Sequence, residues 1–224
     1  MTTPMSEQSQ TVRVTPASMA GPAAAGQADQ VARILIAGYV DTPQGRWLIA
    51  DRDERLITFG VFWPAMVRYG RDYGCIDVAT DQAGTVLGAA IWFNPAEPGD
   101  PVSYRQCLAD ACRDHLARFL RFDQLLATRA PDPDDGLRLA WLAVARRHQG
   151  RGVASALLRY RHGLLDAAGG SAALVAGTAR TRNLFGRHGY QTGRVFRLPG
   201  GPTLWPMLRP SGGGPGHGTP SAGP

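Results

Sequence analysis

Apolar positions along the chain alternate between short runs of strand period and longer stretches of helical period, which predicts a mixed α/β architecture. A short strand is expected over Val12 to Thr15. Asp29 can cap a helix reaching Ala37, with Val31, Ile34, Leu35 and Gly38 at helical spacing. A second helical stretch covers Asp51 to Tyr69, and Pro64 predicts a kink or a split within it. Cys75 to Ala79 and Thr85 to Phe93 read as two strands joined by the turn residues Asp81 to Gly84. After a loop at Asn94 to Pro101, Leu108, Ala111, Cys112, Leu116, Phe119 and Leu120 mark the buried face of one long helix from Val102 to Thr128. Gly136 to Val144 then forms a buried central strand. Val153, Leu157, Leu158, Leu164, Leu165 and Ala168 recur at helical spacing until Gly169-Gly170, and Ala172 to Ala176 is the next parallel strand of a βαβ unit.

Between that strand and that helix lies Arg147-His-Gln-Gly-Arg-Gly-Val-Ala154, which has the make-up of a phosphate cradle. A helix start leaves several N–H donors unpaired and carries the positive end of the helix dipole. Gly150 and Gly152 allow close backbone approach, and Arg146, Arg147 and Arg151 add positive charge on the same turn. The spacing is too short for a Walker loop, and Ser155 breaks the Gly-x-Gly-x-x-Gly pattern, which argues against nucleotide hydrolysis and NAD.

In this order, Leu142-Ala-Val144, the Arg147 to Ala154 turn, Leu157-Leu158, Arg182-Asn-Leu-Phe185 and Arg187-His-Gly-Tyr190 resemble the Gcn5-related N-acetyltransferase (GNAT) superfamily. The late segments, with Leu198-Pro-Gly-Gly-Pro-Thr-Leu-Trp-Pro-Met207, are most similar to the branch containing puromycin N-acetyltransferase. The resemblance implies a GNAT-like acyl-CoA N-acyltransferase fold: a mainly antiparallel mixed sheet whose central parallel pair, 137–144 and 172–177, splays after Val144 and is flanked by helices. It implies acetyl-CoA as cosubstrate and direct attack by a primary amine of a small molecule, an antibiotic or an amino metabolite, in a ternary complex. Backbone of Leu142, Ala143 and Val144 would meet the pantetheine arm, with one N–H polarising the thioester carbonyl. Arg147, Gln149, Gly150, Arg151, Gly152, Val153 and Ala154 would hold the pyrophosphate, and Asn183 would hydrogen-bond coenzyme A or the loop lining it. By the same analogy, the 102–128 segment walls the acceptor pocket with Tyr104, Gln106, Arg113 or His115; on residue type alone these are polar positions of an amphipathic helix.

Two positions depart from that branch. Gly177 stands where a strand-end glutamate is expected, and Phe185 where the superfamily commonly carries a tyrosine acid. A phenyl ring has no proton to give. Tyr104, Tyr190 and Cys112 are candidate replacements, each with an ordinary packing role as its alternative, so the catalytic residues stay unassigned. Two further readings follow from the departures: a noncatalytic acyl-CoA-binding or regulatory domain, and a GNAT-fold enzyme of different acyl-CoA chemistry in natural-product biosynthesis.

At 224 residues the chain has room for one domain, expected over 11–210, with a polar tail at 1–10 and a Gly/Pro-rich tail at 211–224; the Ala/Gly/Pro-rich stretch 16–26 reads as a loop. The net charge of +6 is scattered rather than run together, which favours a basic surface around one phosphate site over nucleic-acid binding. The three cysteines lack Cys-x-x-Cys spacing, and Cys112 with His115 supplies only two ligands, so neither a disulfide framework nor a metal is expected. With no bilayer-length apolar run and no signal-like start, the expectation is a cytoplasmic protein, monomer or homodimer, without membrane partners.

Overall fold

The computed structural model describes residues 12–17, 22–133 and 135–212; both expected tails lie almost wholly outside them. Along the chain run β1 (Arg13–Pro16), α1 (Pro22–Tyr39), α2 (Pro43–Leu48), α3 (Arg52–Tyr73), β2 (Cys75–Thr80), β3 (Val86–Phe93), α4 (Pro101–Cys112) and α5 (Leu116–Arg129). Then follow β4 (Leu137–Val144), α6 (Val153–Ala167), β5 (Ala172–Ala176), α7 (Ala179–Gly186), β6 (Gln191–Thr192), β7 (Phe196–Arg197) and β8 (Thr203–Arg209). The sheet order is β1-β2-β3-β4-β5-β8-β6, with β7 also paired to β8. Every pairing is antiparallel except β4 with β5.

Two apolar cores sandwich the sheet. On one face α1, α3, α4 and α5 bury Leu35, Phe59, Met66 and Leu108 against Ile91 and Ala143. On the other, α6 and α7 bury Leu157, Leu158 and Phe185 against Leu87, Trp92 and Leu174. Side chains alternate between the two faces along each strand, so one apolar run feeds both cores.

Short polar residues set the helix starts. Asp51 accepts the N–H groups of Asp53 and Glu54 (both 2.9 Å), Asp100 those of Val102 and Ser103, and Thr178 that of Thr181 in a capping box.

Three expectations shift. α1 begins at Pro22, so part of the stretch read as loop is helical: alanine is the best helix former and proline suits the first turn. α3 continues through Pro64 to Tyr73 instead of splitting, because Phe62, Trp63, Ala65, Met66 and Val67 are all buried around it and outweigh a local cost of about 3 kcal/mol. The long 102–128 helix is two helices, parted at Arg113–His115, where Arg113 takes φ 42° and the backbone leaves the helical path.

Candidate active site

The site begins with a defect in β4. Trp141 faces Ile91 and Leu139 faces Trp92, which leaves Ala140 as an extra residue with no partner on β3. Such a bulge bends and twists the strand that carries it. On its other edge β4 pairs with β5 only through Leu137–Ala172, Arg138–Ala173 and Leu139–Leu174, and the two strands part beyond. The separation therefore starts at Ala140, five residues earlier than the sequence suggested. Leu142, Ala143 and Val144 all stand on the parted stretch.

A cavity of roughly 560 Å³ occupies the gap. It touches Tyr39, Trp63 and Phe119 from one core and Leu174, Leu184 and Phe185 from the other, so it passes through the sheet. Gln44 and Gly177 both line it, and the Gln44 amide donates to the Gly177 carbonyl at 2.5 Å. A Cβ at Gly177 would lie 2.8 Å from the Gln44 amide, so any larger residue there has to move the end of that side chain.

At the end of β4 the chain makes a 3-10 turn over Arg146–His148 and enters α6 through Gly150 (φ 75°) and Gly152 (φ 82°). A Cβ at either glycine would meet nothing within 4 Å, so their left-handed backbone, not crowding, selects glycine. Gly152 is the N-cap of α6 and supplies no side-chain acceptor. The first helical N–H groups, including those of Val153 and Ala154, thus lack a side-chain cap. Arg146 and Arg147 lie on the preceding turn and Arg151 directly before the N-cap, so positive side chains adjoin the positive end of the helix dipole; Arg147 itself is hydrogen-bonded to His148. The side chain of Val153 is core, at 2% exposure, which leaves only its backbone for a ligand. Gln149 donates its side-chain amide to the Val144 carbonyl at 3.1 Å, tying the turn to the strand.

Asn183 stands on α7, the helix that follows β5. It lies inside α7, exposed, and accepts from the Arg182 guanidinium at 2.9 Å; Thr178, not Asn183, caps that helix.

On the α1 side the cavity wall is aromatic. Tyr39 packs on Trp63 (centroids 4.8 Å apart), Trp63 on Trp141 (5.5 Å), and Trp141 on Phe93 (5.9 Å). Tyr104 donates to the Asp123 carboxylate at 2.7 Å, and both line the cavity. Burial pushes the Asp123 carboxyl up to about 6, against the lowering effect of the Tyr104 hydroxyl. Burial, and then the neighbouring Asp123, raise Tyr104 strongly, so this phenol stays protonated.

The other expected pocket residues lie elsewhere: Gln106 donates to Asp110, His115 faces Glu54 at 3.5 Å, and Arg113 sits at the helix break. Two of the candidate acids are also excluded by position. Tyr190 is 4% exposed and bonded to His162 at 3.0 Å, and Cys112 is 1% exposed with its thiol pushed up to about 12 by burial.

Tyr39 was missed. Its hydroxyl donates to the Leu142 carbonyl at 3.3 Å and accepts the Leu142 N–H at 3.2 Å, directly on the parted stretch of β4. α1 comes this close because Gly38 faces Ala143, where a Cβ would stand 3.1 Å from the Ala143 Cβ. Burial pushes the Tyr39 phenol up to about 12.

An acetyltransferase of Corynebacterium glutamicum described as related to histone acetyltransferase HPA2 superposes with a TM-score of 0.59 at 20% identity, over 91% of this chain and 98% of that one. A GNAT-family structure from Desulfovibrio desulfuricans gives 0.52 at 16% identity, over 90% and 98%. The fold is the GNAT fold. Arylalkylamine N-acetyltransferase 2 of Aedes aegypti shares this GNAT fold, with a TM-score of 0.57 at 15% identity over 89% and 98% of the two chains. No family model matches the sequence.

Proposed function

We propose that the protein is an acetyl-CoA-dependent N-acetyltransferase that moves the acetyl group to the primary amine of a small molecule. The observation that carries this reading is the parting of β4 and β5 after Leu139 and Leu174 into a cavity that crosses the sheet. β4 ends where α6 begins, so the uncapped helix start lies at the end of the strand toward which the gap widens. The pyrophosphate of coenzyme A would take the amides from Gln149 to Ala154 with Arg147 and Arg151 beside them. The pantetheine arm would run along Leu142, Ala143 and Val144, and the thioester would meet the amine inside the sheet. Holding both reactants aligned supplies the larger part of the acceleration, since effective molarity is worth about 7 kcal/mol or more in favourable cases.

The acceptor side supports an amine with an apolar or aromatic body. Trp63, Trp141, Phe62 and Phe119 offer ring faces and edges, and Asp123 is the carboxylate among them. Ionised Asp123 and aromatic faces both attract a cation. Aedes aegypti arylalkylamine N-acetyltransferase 2 shares the fold, and the resemblance to the puromycin-acetylating branch adds amino-bearing antibiotics to the acceptors worth testing.

The test is thiol release from acetyl-CoA across arylalkylamines, diamines and aminonucleosides, with coenzyme A binding measured by calorimetry. Turnover with at least one amine is expected. Binding without turnover would move the assignment to a noncatalytic acyl-CoA-binding domain, a reading that Phe185 in place of a tyrosine favours.

A further inference from the structure

We infer that Tyr39 is the catalytic proton donor of this acyl transfer, delivering its phenolic proton to the departing coenzyme A thiolate from its place on the Leu142 backbone. The inference rests on the proposed acetyl transfer. It begins from a vacancy of chemistry: the position that resembles the superfamily's tyrosine is Phe185, 6% exposed, with its ring packed edge-on to Tyr190 at 5.7 Å.

Other hydroxyls around the cavity are engaged or misplaced. Tyr104 is committed to Asp123, Thr178 and Thr181 to their capping box, and Thr42 to the start of α2. Tyr69 stacks on Phe93, whose partner Arg138 lies where β4 and β5 are still paired. Tyr39 alone among the cavity-lining hydroxyls of the described residues bonds to the parted stretch of β4.

The geometry at Leu142 suits the role. Its N–H and C=O both turn to Tyr39, hence toward the gap instead of into the ladder with β3. The two contacts, 3.2 and 3.3 Å, are at the long end for hydrogen bonds and exchange easily for a substrate oxygen. A thioester carbonyl that accepts the Leu142 N–H brings its sulfur, one bond from the carbonyl carbon, to the same phenol. Among the described residues no charged side chain hydrogen-bonds this phenol: Arg55, the nearby cation, is turned to the carbonyls of Val40, Ile49, Ala50 and Asp51, and Asp41 pairs with Arg52 and Arg55. The ring stays protonated at neutral pH and is ready to donate.

In the step itself, the amine, having released its ammonium proton to water, attacks the thioester carbon through its neutral nitrogen and forms the C–N bond. The tetrahedral oxyanion, held by the Leu142 N–H, collapses and breaks the C–S bond, and the sulfur leaves with the electron pair. The Tyr39 proton passes to that sulfur. The phenolate recovers a proton from the nitrogen, directly or through water, so the amide and the free thiol account for every atom.

Tyr39→Phe removes the proton and keeps the ring on Trp63. The expected result is a fall in kcat of about 10²-fold or more, with the KM of acetyl-CoA and the calorimetric Kd of coenzyme A within about threefold of wild type by the same reasoning. A kcat within threefold of wild type, or a loss of affinity as large as the loss of kcat, would overturn the inference. If the variant fails to fold, Tyr39→3-fluorotyrosine in the full chain decides: the more acidic phenol should move the high-pH decline of kcat to lower pH, and an unmoved decline refutes the role. Wild-type protein without turnover on any amine would instead overturn the proposed function, before any variant is compared.

Discussion

One buried ion pair ties α6 to β2 beside its apolar packing, and this makes Arg161→Met a sharp test of what that pair contributes. Asp77 on β2 is fully buried, and the Arg161 guanidinium of α6 meets it with two bonds, Nε to Oδ2 at 2.9 Å and one terminal nitrogen to Oδ1 at 2.5 Å. Removing the arginine strands a carboxylate with no exposure, for which a cost of about 3–5 kcal/mol is expected. For a domain of this size that corresponds to a melting temperature lower by about 6–20 °C. Burial already raises the Asp77 carboxyl above its ordinary value, with Arg161 opposing; without Arg161 the rise is larger. A carboxyl raised in the folded state favours folding below its unfolded pKa and loses that contribution as pH rises through the folded value. The deficit of the variant relative to wild type must therefore be greatest at neutral pH and shrink on acidification. Thermal melts from neutral to mildly acid pH, with Asp77→Leu/Arg161→Met as the paired control, measure this; the double variant should recover most of the loss. A drop of under 2 °C, or a deficit that does not narrow in acid, would refute the reasoning.

Gly152→Asp puts a negative side chain at the helix start and forces a non-glycine residue into the left-handed region; coenzyme A affinity should fall at least about tenfold by calorimetry and by more than in Gly152→Ala, which shares the backbone cost of about 1–2 kcal/mol in stability but adds no charge. Asp123→Asn should raise the KM of a cationic acceptor about tenfold while leaving coenzyme A binding unchanged. In the wild type that KM should rise as pH falls through about 6, where the carboxylate takes up a proton, and a pH-independent KM would remove Asp123 from acceptor binding. Phe185→Tyr should leave kcat within about threefold, since proton donation is assigned to Tyr39; a gain approaching the roughly 10²-fold worth of a positioned acid would hand that role to position 185.

What was legible in the sequence is what local pattern encodes. The strand, glycine turn and helix from Leu137 to Ala167 could be placed because apolar period, paired glycines and a Gly-Gly stop all lie within one continuous stretch. The parallel partner at Ala172–Ala176 followed from the short βαβ connection. Boundaries failed where tertiary packing overruled local preference: Pro64 sits within a helix buried around it, and the split between α4 and α5 turns on the single left-handed residue Arg113.

The chemistry of the cavity was less legible because its groups come together only in space. Tyr39 lies 103 residues from Leu142, and the sequence reading ended its helix at Ala37, two residues short of it. Asp123 reads as one more polar position on an amphipathic helix; its partner Tyr104 lies 19 residues away, across a helix break the pattern did not show. Gly177 reads as a missing acid in the sequence, whereas in the fold its carbonyl accepts from Gln44, 133 residues upstream. In each case the sequence fixes residue type, while function depends on whether a distant element closes a hydrogen bond. The same logic explains how a chain can lack a tyrosine at position 185 and still place a phenol in the gap. The parted edge of β4 leaves the N–H and C=O of Leu142 in want of partners, because an unpaired backbone group away from water is costly, and any hydroxyl on a helix packed against that edge can answer it. The hydroxyl that answers it here belongs to α1, so replacing Tyr39 tests a position set by the backbone of β4 and not by the motif that carried the resemblance.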